Sequence, residues 1–174
     1  MTMAVCLLFD TRSDRRVREL WSRLEAEGIA TLATHTHGRH HPHLSYAVLR
    51  SWDQQRVQSA LAALPRAEPF SMTVHGTLTF PGGRAALAPS IPPDVALRQA
   101  RTVTALREAG ADLHRHYEPG DWVPHISAAT RASGSQIPTM ARIVADFLPI
   151  TLRVDRAALI DTAAGESWPL PHIL

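Results

Sequence analysis

The chain has 174 residues and a formal charge of +2; 45% of it is hydrophobic and 20% charged. That balance belongs to a soluble globular protein of one domain, or of two small lobes sharing a core, and excludes disordered and fibrous classes. So small a charge excludes a protein that coats nucleic acid with its whole surface, and a lone Cys6 excludes a disulfide framework or a multi-cysteine zinc site. There is no lysine, so every cation other than histidine is an arginine, the side chain suited to bidentate phosphate contacts.

The apolar opening, residues 4–9, reads as a buried strand. It is too short to span a bilayer and lacks a basic start, so a cytoplasmic protein is expected. Asp10 or Thr11 caps a helix with Val17, Leu20, Trp21 and Leu24 at helical spacing, and Gly28 ends it. Residues 30–41 form a loop or short strand crowded with histidines. A strand then runs from Pro42 to about Val48, followed by a helix over 52–64 that Pro65 stops. Residues 70–80 alternate cleanly: Phe70, Met72, Val74, Leu78 and Phe80 take one face, and Ser71, Thr73, His75, Thr77 and Thr79 the other. The turn Pro81-Gly82-Gly83 leads to a hairpin partner over 84–88. A helix is expected over 94–109, an irregular stretch over 116–123, a second motif strand from Pro124, a helix over 135–147, a strand over 150–161 and a short strand or tail over 167–174.

One stretch occurs twice. Pro42-His43-Leu44-Ser45-Tyr46-Ala47 and Pro124-His125-Ile126-Ser127-Ala128-Ala129 both read Pro-His-aliphatic-Ser-x-Ala. On a strand, side chains alternate, so His43 and Ser45 share a face, as do His125 and Ser127, with the aliphatic residue anchored in the core. Two such strands facing each other present two imidazoles and two hydroxyls to one cleft. Histidine serves as acid or base near neutrality because its ordinary pKa is about 6.5. The hydroxyls suit hydrogen bonding to phosphate oxygens better than nucleophilic attack, since neither has an orienting carboxylate in view. His75-Gly76-Thr77 is a third, chance copy of the core motif. Both halves run strand, helix, motif strand, helix, strand, which points to an internal duplication.

These residues resemble the 2H phosphoesterases, a family that includes 2′-5′ RNA ligase-like proteins and cyclic phosphodiesterases. The likeness rests on His43-Leu44-Ser45 and His125-Ile126-Ser127, on the hairpin from Pro69-Phe70 to Arg84-Ala85-Ala86-Leu87, and on the approach His116-Tyr117 to Asp121-Trp122-Val123. It implies an α+β fold over residues 1–174, with two pseudo-symmetric lobes, antiparallel sheets and outer helices around a central cleft. It also implies hydrolysis of a 2′,3′-cyclic phosphate on a nucleotide or RNA end, with His43 and His125 as the acid–base pair. Ser45 and Ser127 would bind the phosphate, with no cofactor and no metal. Tyr46, His75, Tyr117, Trp122 and Arg131 are the further candidates for substrate contact, Tyr117 and Trp122 by stacking on a base. A monomer acting on a small cyclic phosphoester or an RNA terminus is expected, without membrane or obligate protein partner.

Two other readings compete. A non-catalytic module on the same fold would bind a nucleotide or RNA without turnover. A metal-dependent hydrolase would use the cluster from His35 to His43, where His35, His37 and His40 imitate a His-x-His-x-Asp-His run. Arg39 stands in the Asp position, and its fixed charge opposes a bound cation.

Overall fold

Strand β1 (Met3–Phe9) is apolar throughout and buried except at half-buried Leu8, and it forms the spine of the molecule. The computed structural model describes residues 2–174. Asp10 closes β1 and caps α1 (Thr11–Ala26), its carboxylate accepting from the Ser13 amide at 2.7 Å. Val17, Leu20, Trp21 and Leu24 are buried on one stripe of α1, and Gly28 ends the turn at a positive φ of 72°. The histidine-rich loop leads to β2 (His43–Ser51), which pairs antiparallel with β1. Next come α2 (Gln54–Ala62), the hairpin β3 (Phe70–Phe80) and β4 (Arg84–Ser90), and α3 (Pro93–Glu108). A two-residue strand, β5 (Asp112–Leu113), was not foreseen; it pairs with the end of β2. After a 3-10 turn (Arg115–Tyr117) come β6 (Ile126–Ala129), α4 (Ile137–Phe147), β7 (Ile150–Asp161) and β8 (Ser167–Pro169).

The fold is α+β, with every strand pairing antiparallel in the order β5-β2-β1-β7-β3-β4-β6, and β8 beside β7. The long strand β7 joins the two lobes. Residues Ile150 to Val154 pair with β3, and Val154 to Asp161 pair with β1, so Val154 faces both Phe9 and Phe70. One lobe therefore holds β5, β2, β1 and β8, and the other β3, β4 and β6. A register shift in β7 beside Val154 bends the strand where it changes partner. The helices supply Leu20, Val95, Val103, Met140 and Phe147 to one buried core, shared with Leu7, Leu44, Leu87, Ile126 and Leu152. Ala4, Cys6, Ala158 and Ile160 form a small cluster on the other face, with Leu8 and Val48 packed against it.

Strand β3 corrects the expected alternation. Its register shifts between Val74 and Gly76, leaving His75 as the extra residue of a bulge. Beyond that point the faces exchange. Thr77 pairs with core-facing Leu87, while Leu78 pairs with Ala86 and through it with Ser127. Leu78 therefore shares the face of the second motif. A further close approach fixes the hairpin turn: Gly83, at φ 74°, lies so near Ala132 that a Cβ would sit 2.0 Å from its carbonyl oxygen. No helix among the described residues is long and apolar enough to cross a membrane.

Candidate active site

His43 opens β2 and His125 stands one residue before β6. The two rings are held alike. Nδ1 of His43 lies 2.6 Å from the carbonyl oxygen of His41, and Nδ1 of His125 lies 2.7 Å from that of Val123. A carbonyl only accepts, so in both rings Nδ1 carries the proton and donates. The neutral ring then presents the lone pair of Nε2 as a base, and the charged ring presents Nε2–H as an acid. Burial holds His43 below the usual imidazole range; the His41 carbonyl opposes this, and the nearby charge of His125 adds to it.

The hydroxyls sit on rows of small or apolar side chains. Ser45 pairs with Cys6, and Cys6 with Ala158; Ser127 pairs with Ala86, and Ala86 with Leu78. Each motif serine also receives an indole at its carbonyl. Trp122 Nε1 donates to Ser45 at 3.1 Å, and Trp21 Nε1 donates to Ser127 at 2.9 Å. A helix of the first lobe thereby braces the motif of the second, and the approach to the second motif braces the first. Sequence reading missed Trp21 because its ring belongs to the helical apolar stripe, and nothing in the spacing marks its N–H.

Around Ser45 the packing is tight. Its hydroxyl lies 3.8 Å from Cys6 Sγ and beside the Tyr117 phenol. Burial pushes both Cys6 and Tyr117 up to about 12, so both stay protonated near neutrality. Tyr117 is half-buried beside Ser45. Tyr46 is not such a residue. It is fully buried in the core, edge-on to Trp122 at 5.8 Å, because strand alternation turns it away from Ser45. Trp122 is half-buried, packs against Tyr46 and spends its N–H on the Ser45 carbonyl. Arg131 is exposed just past β6, where its backbone bridges to Ala30. His75 lines a hollow of about 260 Å³ with Ala141, Val144 and Leu148 of the α4 region, and is not brought to the pair. Phe80, delivered by the bulge, takes the place beside the motif, its ring 5.1 Å from that of His125.

The histidine-rich loop packs on itself. The rings of His37 and His40 lie 4.1 Å apart, and His40 Nε2 meets the Thr36 hydroxyl at 2.9 Å. Arg39 reaches away to the Ala164 carbonyl at 2.7 Å. Among the described residues, no three His, Cys, Asp or Glu side chains are gathered to hold a metal ion. Burial, with the neighbouring histidines, lowers His40 to about 4, so its ring is neutral at pH 7.

Residues 9–166 match the 2'-5' RNA ligase superfamily. The chain belongs to that superfamily. Paired motif strands bearing two histidines thus fall within a group of phosphoester-handling enzymes, and phosphoester chemistry in general follows for this chain. Comparison with curated proteins found no match. Among solved structures, E. coli LigT complexed with NADP+ is similar at 15% identity and TM-score 0.61, covering 97% of this chain and 93% of LigT. TT0787 of Thermus thermophilus is 16% identical at TM-score 0.60 over 100% of both chains. Kluyveromyces marxianus Usb1 is 12% identical at TM-score 0.51, covering 98% of this chain and 97% of Usb1. At these identities the likeness concerns the fold of the 2'-5' RNA ligase superfamily, and the site chemistry rests on the residues above.

Proposed function

We propose that this protein is a metal-independent phosphodiesterase that opens the 2′,3′-cyclic phosphate of a nucleotide or an RNA end. The observation that carries the reading is the matched anchoring of His43 and His125, each through Nδ1 to a carbonyl two residues back, which leaves both Nε2 atoms free beside a motif serine. One ring, neutral, takes a proton from water as the water oxygen bonds to phosphorus. The other, charged, gives its Nε2 proton to the ribose oxygen as the P–O bond breaks. Burial favours the neutral form of His43, which suits the base, and leaves His125 to act as the acid. Ser45 and Ser127 donate to the non-bridging oxygens as charge builds there. E. coli LigT has been crystallised with phosphate and with 3'-AMP, ligands of the kind such a site would hold. The protein works as a monomer on this reading.

The test is a panel of 2′,3′-cyclic nucleotides and short RNAs with cyclic ends, assayed with and without EDTA and scored for 2′- and 3′-phosphate products. Turnover that survives chelation is expected. Tight nucleotide binding without turnover of any member would replace the enzyme by a binding module, and turnover lost in EDTA and restored by one divalent ion would return the histidine loop to the site.

A further inference from the structure

A row of side chains crosses the sheet from the first histidine. His43 pairs with Leu8 on β1, and Leu8 pairs with Arg156 on β7, so the three emerge on one face. Two strand spacings separate the ends of the row by roughly 10 Å between Cα atoms. Arg156 is held by one hydrogen bond and one loose ion pair. Its Nη2 donates to the Phe9 carbonyl, while the Asp155 carboxylate stands off at 3.6 Å from Nε and the side chain is 52% exposed.

His41 borders the same ground. Arg18 Nη2 lies 3.4 Å from His41 Nδ1, and a guanidinium only donates, so Nδ1 accepts and Nε2 carries the proton. Burial, Arg18 and Arg156 all lower this histidine, against Asp14, so it is a neutral donor near pH 7. The charge of Arg18 is itself met by Asp14 at 2.6 Å. Arg156 is the more exposed and the more loosely paired of the two arginines, its ion pair with Asp155 spanning 3.6 Å, and His41 lies beside it. The second motif has no counterpart: Ser127 continues into Ala86 and Leu78, and His125 faces the Phe80 ring.

We infer that Arg156, with His41, forms a second anion subsite that takes the phosphate on the 5′ side of the terminal nucleotide. Building on the phosphodiesterase reading, this makes the substrate class a phosphorylated strand end in preference to a bare nucleoside cyclic phosphate. The apolar side at Leu78 and Phe80 would then receive sugar or base.

The experiment compares binding of adenosine 3′-monophosphate and adenosine 3′,5′-bisphosphate by calorimetry, alongside turnover of 2′,3′-cyclic AMP with and without a 5′-phosphate. In the unaltered protein the 5′-phosphate should tighten binding about tenfold or more, the usual size of a charge-assisted contact. The advantage should shrink with added salt. Arg156→Gln should bring the ratio of the two dissociation constants close to one, and Arg156→Lys should keep part of it, a rescue that also controls for loss of the Phe9 contact. No advantage in the unaltered protein, or an advantage that Arg156→Gln retains, overturns the subsite. The subsite stands if the advantage depends on Arg156 while no cyclic nucleotide is hydrolysed, and then it is the phosphodiesterase reading that fails.

Discussion

His43 and His125 are anchored by the same bond, stand two residues from a motif serine each, and lie beside serine carbonyls braced by indoles from Trp122 and Trp21. Their surroundings then diverge. The first strand sits over Cys6 and Tyr117, next to His41, Arg18 and Arg156, and its imidazole is lowered by burial. The second faces Phe80 and Leu78 on a row of small and apolar side chains. The two copies of the motif thus share the bonds that hold their imidazoles and differ in what lies around them. Two identical imidazoles in identical settings would compete for one proton; unlike settings let one ring stay neutral while the other carries the charge.

Removing either ring tests the shared half of this comparison and carries the largest effect. His43→Ala and His125→Ala should each lower kcat by roughly two to four decades, the usual range for a positioned acid or base. Rates measured on one cyclic nucleotide suffice, and a variant that kept near-full kcat would remove its histidine from the chemistry. The serines come next. Ser45→Ala and Ser127→Ala should cost about ten- to a thousandfold in kcat, since each removes one donor to the phosphate. Ser45 is wedged against Cys6 and Tyr117, so its loss should also show in thermal stability, whereas Ser127→Ala should leave the melting temperature nearly unmoved. Equal thermal behaviour would deny the difference between the two strands.

The smallest effect concerns the loop before the first motif. His40 is lowered to about 4 in the folded chain and has an ordinary pKa near 6.5 when unfolded. Between those values the unfolded chain binds the extra proton, so stability is full above about pH 6.5 and falls as pH drops toward 4. The melting temperature should decline by a few degrees over that window, and His40→Gln should flatten the slope. A slope unchanged by the substitution would place its origin elsewhere.

Much of the fold was legible because apolar periodicity and breakers coincide. Residues 70–80 and 150–161 begin and end as β3 and β7 do, and α1 starts at the cap that Asp10 provides. The motif pair was legible for the same reason, since strand alternation fixes which side chains share a face. What escaped were features set by pairing between distant strands. The bulge at His75 exchanges the faces of β3, bringing Phe80 to the motif and turning His75 toward the α4 region. Tyr46 read as a contact residue, yet its parity with Leu44 consigns it to the core. Arg156 acquires its place only from the registers of two ladders, which no local pattern records.

Whether His43 and His125 act as one acid–base unit on a cyclic phosphodiester is tested most directly by the His43→Ala/His125→Ala double variant. Its kcat is measured beside those of the two single variants on the same 2′,3′-cyclic nucleotide. Groups that work as a unit are strongly non-additive, so the double variant should lose little more than the worse single variant. A double loss equal to the product of the single losses would mean that the two histidines act independently, and would contradict the mechanism.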